Sequence, residues 1–355
     1  MPNMDDALLR SRMRSWLFAC AGLVTAVLLV GGATRLTQSG LSIATWQPLV
    51  GVVPPLSESA WSEAFAQYRA TPEFQIVNPG MGLAGFRTIF WWEYAHRLLA
   101  RAAGLAYVLP LLWFLRTAAR RDAVRRVLPG GRIRRLGVIL ALGGAQGVAG
   151  WLMVASGLVS EPRVSPLRLA VHLGLALLLM ALMFWTAWDL RTFGVKPMHV
   201  DGGRRFAPVF AWGAVTIVFA MALSGALVAG THAGHVFNTL PTMNGALIPD
   251  GMWILDPWYE NLLFNLLTVQ FTHRALACVV VVAVSVLAWF AHAQPTARPA
   301  SRRVLGLLAV QLLLGIATLL SAAWLPLALA HQAGAVLLWI GVLWAARQAG
   351  GGQRF

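Results

Sequence analysis

The chain has 355 residues, of which 58% are apolar and only 12% charged, and its mean hydropathy is +0.67. This excludes an ordinary soluble domain, where charged residues make up about a quarter of the chain. The net charge of +15 does not mark a nucleic-acid-binding protein either, because Lys and Arg sit in loops between apolar runs and not on one face of a domain.

Eight apolar segments follow in order, each near the ~20 residues a spanning helix needs. They lie at roughly 16–36, 93–115, 136–156, 167–188, 207–229, 268–291, 303–322 and 324–346. The fold class expected is an all-α integral membrane protein with eight transmembrane helices. Arg10, Arg12 and Arg14 precede the first segment as they would a signal peptide, but its apolar run is long for that role and it is read as a helix. Cys20 and Cys278 both fall inside apolar runs, so neither a disulfide framework nor a cysteine metal site is expected. Most Lys and Arg fall in the N-terminus, the C-terminus and the loops after the second, fourth and sixth segments; "RTAARRDAVRRVLPGGRIRR" alone has eight. The positive-inside rule then places both termini in the cytoplasm.

The two halves repeat. "EYAHRLLARAAGLAYVL" from Glu93 matches "QFTHRALACVVVVAVSVL" from Gln270, Gln146 with Gly150 matches Gln311 with Gly315, and "LRLAVHLGLALLL" around His172 matches "LALAHQAGAVLLW" around His331. "GGATRLTQSGLS" aligns more weakly with "SGALVAGTHAGH". Four segments per repeat means that both halves enter the membrane in the same direction. Two parallel four-helix bundles related by a pseudo-twofold axis are expected, residues 1–190 and 191–355.

Of eight His, His199, His292, His232 and His235 fall in loops or at a helix end and read as solvated or interfacial. His96, His172, His273 and His331 each lie on an even-numbered segment, one to two turns from its start, and so at similar depth near the outer surface. Ionisable residues at membrane depth are functional candidates. Two His facing each other across a bundle are the usual axial ligands of haem iron, whereas a small metal ion is more often given a tighter cluster. One bis-His haem position per half is therefore expected. Arg97 and Arg274 follow two of these His, either as partners for haem propionates or as cations that simply snorkel to the interface. Three residues before the same His, the first half has Glu93 and the second Gln270. Glu93 shares a face with His96 and is the only acid expected beside a haem, which points to chemistry in the first half and electron transfer in the second. The plainer reading is that Glu93 only pairs with Arg97.

These residues resemble the haem A synthase family, in particular its mitochondrial and alphaproteobacterial branch. The resemblance spans nearly the whole chain and rests on "RLTQSGLS", "EFQIVNPGMGLAGFRTIFWWEYAHRLLAR", "QGVAGWLMVASGL", "AVHLGLAL", "NTLPTMNGALIP", "FTHR" and "ALAHQAG". It implies an oxidoreductase that converts haem O to haem A, oxidising the porphyrin's C8 methyl to a formyl group through hydroxylated intermediates. His273 and His331 would then ligate a resident haem b, and His96 and His172 the substrate haem, with Glu93 at the reacting edge. Glu93 would either stabilise a cationic carbon or act as a base toward water. The implied setting is the bacterial inner membrane, with the haem sites toward the periplasmic side. Haem O would come from haem O synthase, and electrons would pass to or from an unidentified partner. The electron carrier, the source of the formyl oxygen and whether the chain forms a homo-oligomer are left open. Some branches carry paired cysteines in outer loops; this chain has none there.

The outer loops 37–92 and 230–267 are long enough to serve as lids. Trp46, Trp61, Trp91 and Trp92 read as an interfacial aromatic belt. A quinol-linked di-haem b cytochrome without haem-modifying activity is the main alternative. A transporter is a weaker one, with Pro110 in the second segment as the candidate helix break.

Overall fold

A computed structural model describes residues 4–44, 50–128, 133–158, 164–191, 207–295 and 297–349. Trp46, His199 and part of the basic loop before the third segment lie outside them. The chain divides into two compact units, Met1–Arg191 and Thr192–Phe355. Among the described residues the structure is helical, and eight helices are long and apolar enough to cross a membrane.

In the first unit these are α1 (Met4–Leu36), α4 (Leu83–Leu115), α6 (Arg134–Gly157) and α7 (Pro166–Arg191). Three shorter helices accompany them: α2 (Glu58–Arg69), α3 (Pro72–Ile76) and α5 (Ala118–Val127). The packing runs in a ring, α1 against α4 and α7, and α6 against α4 and α7. Hence α4 and α7 stand on opposite sides. Far from the cap formed by α2 and α3, the ring is closed by Met13, Leu17, Tyr107, Leu111, Phe114 and Met183. Polar groups there are satisfied: Trp16 Nε1 donates to the Ala106 carbonyl at 2.8 Å and the Tyr107 hydroxyl to the Leu136 carbonyl at 2.7 Å. Arg135 on α6 pairs with buried Asp189 on α7 at 2.5 Å.

Local sequence explains the cap. Ser57 Oγ accepts from Ala60 N at the start of α2, and Thr71 Oγ1 accepts from Phe74 N at the start of α3, with Pro72 in the first turn. The next helix, α4, begins at Leu83 and not near residue 93. Its extra turns extend about 15 Å and pack on α2 through an aromatic cluster of Trp61, Tyr68, Phe86, Phe90 and Tyr94. Tyr68 stacks on Phe86 with centroids 5.2 Å apart, and Trp61 meets Phe90 edge-on at 5.0 Å. Trp61 is therefore a buried core residue and not part of an interfacial belt, whereas Trp91 and Trp92 are exposed. Further along, α4 continues through Pro110 without a break, as a membrane helix can when neighbours re-satisfy the freed carbonyl.

The second unit contains α8 (Ala207–Thr231), the short α9 (Asn261–Phe264), α10 (Leu266–His292), α11 (Arg298–Leu320) and α12 (Leu325–Ala349). The ring recurs in the same order, α8 against α10 and α12, and α11 against α10 and α12. Asn265 caps α10 by accepting from Leu267 N. The turn from α11 to α12 is tight, with Ala322 and Ala323 in the left-handed region at φ 51° and 57°. Polar ties again lie away from the histidines: Ser301 Oγ donates to the Ala288 carbonyl and Gln294 Nε2 to that of Ala349, both at 2.8 Å.

Candidate functional site

Each of the four histidines faces a glycine on a neighbouring helix. A Cβ at Gly31 of α1 would stand 2.8 Å from His96 Nε2 of α4, and one at Gly150 of α6 would stand 3.1 Å from His172 Cε1 of α7. In the second unit a Cβ at Gly225 of α8 would be 3.3 Å from His273 Cε1 of α10, and one at Gly315 of α11 would be 3.0 Å from His331 Cε1 of α12. A Cβ at Gly31 would force the ring to shift, and at the other three the ring would have to give by a few tenths of an ångström, because each ring lies against the neighbouring backbone. His96 lies within electrostatic reach of His172, and His273 of His331. Each unit thus brings its two expected histidines together. His172, His273 and His331 sit just under two turns into their helices, as the sequence suggests, while His96 sits about three and a half turns into the lengthened α4.

The second polar layer differs from ring to ring. Gln146 Nε2 lies 3.3 Å from His172 Nε2, and Gln311 Nε2 lies 3.1 Å from His331 Nδ1. The repeated Gln–Gly pair therefore has a purpose that the sequence left unexplained: the glycine seats the ring and the glutamine bonds to it. Ser224 Oγ is 2.7 Å from His273 Nδ1 and 2.8 Å from the Met221 carbonyl. When the hydroxyl donates to that carbonyl, its lone pair accepts Nδ1–H, the tautomer that leaves Nε2 bare. His96 has no such partner among the described residues; the position matching Ser224, judged from the paired glycines, is Val30.

The residues fit a bis-His haem. Among the described residues no group of three or more His, Cys, Asp and Glu converges, so the donor set in each unit is a pair of imidazoles. His172 Nδ1, Gln146 Oε1 and Gln311 Oε1 are buried without a hydrogen-bond partner. Buried polar atoms are seldom left so in the absence of a ligand.

Glu93 and Gln270, three residues before their histidines, do opposite things. The Glu93 carboxylate is 2% exposed and accepts from three donors: Arg97 Nη2 at 2.6 Å on Oε1, and Ser42 Oγ at 2.7 Å and Ile43 N at 2.8 Å on Oε2. Arg97 Nη2 also donates to the Ile43 carbonyl at 3.0 Å. The pairing with Arg97 is real but is one part of a clamp that binds the segment after α1 to α4. In the second unit Gln270 donates, its Nε2 lying 2.9 Å from the Phe237 carbonyl, and Arg274 Nη2 donates to the same oxygen at 2.6 Å. Arg274 Nη1 adds the Thr239 carbonyl at 2.9 Å. Exchanging Glu for Gln thus reverses the polarity of one contact between helix and loop. At this matched position the first unit has a carboxylate, paired with Arg97, and the second a neutral amide.

The sequence reading missed one acid. Glu73 on α3 is 4% exposed, its Oε2 meets no donor, and it lies within electrostatic reach of Glu93. Burial first, and the neighbouring Glu93 second, push its carboxyl up to about 8. Burial, with Glu73 next, pushes the nearby Tyr68 phenol up to about 12. In sequence Glu73 looks like any solvated loop acid; the TPE run that caps and starts α3 was the available signal.

The sequence profile of the cytochrome oxidase assembly protein family matches residues 14–343. The chain is 48% identical to the haem A synthase of Nitrosospira multiformis over 93% of its own length and 91% of that protein's. It is 44% identical to that of Nitrosomonas eutropha, covering 94% and 92% of the two chains, and 45% identical to that of Bradyrhizobium sp., covering 95% and 90%. With two histidine pairs seated in two helix rings, and similarity along nearly its full length, this chain belongs to the haem A synthase family.

Proposed function

We propose that this chain converts haem O to haem A in the bacterial inner membrane, oxidising the C8 methyl to a formyl group through hydroxylated intermediates. The first unit holds the substrate haem between His96 and His172, and the second a resident haem b between His273 and His331. The observation that carries this division is the unequal polar surroundings of matched ring pairs. His273 has a serine that fixes its tautomer, as suits a cofactor that stays. His96 has no counterpart to that serine, as suits a substrate that must leave.

Haem b held by His273 and His331 would supply one-electron transfer. The chain's own residues do the rest. The anion of Glu93, three residues from His96, favours positive charge developing on the substrate carbon. Its three donors hold it as an acceptor, which makes an electrostatic role fit better than that of a base. Arg97 and Arg274 fasten the neighbouring loops through the Ile43 and Phe237 carbonyls, and as cations beside two of the histidines they would partner haem propionates. The two rings repeat the same order of helices. Both termini face the cytoplasm and the haem sites the outer side; haem O comes from its synthase, and electrons pass to or from an unidentified carrier.

Pigment extraction tests the assignment. Purified protein should yield haem b together with haem O or haem A; haem b alone at two per chain would instead mark an electron-transfer cytochrome. His273→Ala and His331→Ala should lose the haem b, while His96→Ala and His172→Ala should retain it and fail to make haem A.

A further inference from the structure

We propose that Glu73 is the proton-holding partner of Glu93, a neutral carboxylic acid whose protonation leaves Glu93 the single negative charge of the clamp. The proposal rests on the functional reading above, and it adds a positioning residue to that site.

Two carboxyl groups in electrostatic reach of each other cannot both ionise freely; the first proton goes to the one whose anion is less well supported. The structure separates the two sharply. Glu93 receives two side-chain donors and one backbone N–H, including the guanidinium of Arg97. Glu73 is buried on a five-residue helix that opens with proline, and its Oε2 meets no donor. The titratable groups facing Glu73 are Glu93 from α4 and Tyr68 from α2; Tyr68 itself accepts from Asn78 Nδ2 at 2.9 Å. None of these three offers positive charge, and Arg97 is bound to Glu93 and to the Ile43 carbonyl. A proton on Glu73 is the arrangement these contacts favour. This is the pattern of paired acids in which environment assigns one the proton and the other the charge.

The consequence has a definite sign. At neutral pH Glu73 is neutral and Glu93 is the one anion of the pair. As pH rises the Glu73 O–H bond breaks, its proton passes to water, and a second carboxylate appears beside the first. Glu93 then faces a second anion across the buried cap, and its geometry loosens. Conversion of haem O should fall on the alkaline side.

The test uses the purified full-length chain in lipid nanodiscs. Infrared spectroscopy should show the C=O stretch of a buried protonated carboxylic acid at pH 7, shifted in D2O and titrating away with a midpoint near pH 8. Glu73→Gln should remove that band. Between pH 7 and pH 9 conversion by the unsubstituted chain should drop about tenfold, the one-proton expectation for a carboxyl at about 8. Glu73→Gln, which is neutral at every pH, should lose this alkaline fall, while Tyr68→Phe should keep it. A band that survives Glu73→Gln, no band at pH 7, or an alkaline fall unchanged by Glu73→Gln would overturn the proposal. If the band behaves as expected but no variant makes haem A, the proton location is upheld and the functional assignment is what fails.

Discussion

Removing the side chain of Glu93 and removing only its charge should have different consequences. Glu93→Ala strands the Arg97 guanidinium, the Ser42 hydroxyl and the Ile43 N–H in a site where the Glu93 side chain is 3% exposed and that of Arg97 16%. Breaking a buried ion pair from one side costs about 3–5 kcal/mol, and a stranded backbone N–H adds about 1–3 kcal/mol, less than additively. Glu93→Gln keeps one acceptor oxygen and gives up the charge assistance, a loss of about 1.5–3 kcal/mol. Thermal unfolding of the purified variants should therefore rank unsubstituted chain above Glu93→Gln above Glu93→Ala. Chromatography of the extracted porphyrins should show haem b retained in Glu93→Gln with little haem A formed. Because alanine also loosens the loop, lost activity in Glu93→Ala alone says little about chemistry; glutamine is the discriminating variant. If Glu93→Gln makes haem A at the normal rate, the anion is a structural clamp and the electrostatic role assigned to it is wrong.

Other expectations follow from the glycines and the second polar layer. Alanine at Gly31 or Gly315, where the added carbon would lie 2.8 or 3.0 Å from a ring atom, should perturb its unit's haem more than alanine at Gly225, at 3.3 Å; low-spin electron paramagnetic resonance and haem content read this ranking. Ser224→Ala should lower haem b retention in the second unit by about 10–100-fold, the usual cost of a lost partner to a ligating imidazole. Phe86→Ala, in the cap cluster, should destabilise the first unit by about 3–5 kcal/mol and increase proteolysis within residues 50–82, while leaving haem b in place.

What the sequence disclosed and what it hid follow from the kind of contact involved. The helices were legible because ~20-residue apolar runs have few alternatives. His96, His172, His273 and His331 were legible because a polar residue in such a run stands out. The true start of α4 was not: Leu83 to Trp92 mixes Arg87 and Thr88 with aromatics, and only packing against α2 makes those turns part of the helix. Gly31 and Gly225 were invisible as ring seats, since their partners lie 65 and 48 positions away on other helices. Glu73 was hidden for the same reason. Its burial comes from tertiary packing; the TPE run marks a helix start but does not say that the acid is buried.

A ring seated on another helix's backbone reports the distance between the two helices. His331 rests on α11 and His172 on α6, each across a gap with no side chain to act as a spring. When the bilayer thins or thickens, spanning helices answer by tilting, and tilt alters the spacing at such crossings. A few tenths of an ångström is all that these rings would have to give to admit an added carbon. If these rings ligate haem as proposed, the same chain held in short-chain and long-chain lipid should differ in the magnetic anisotropy of its low-spin iron before it differs in helix content.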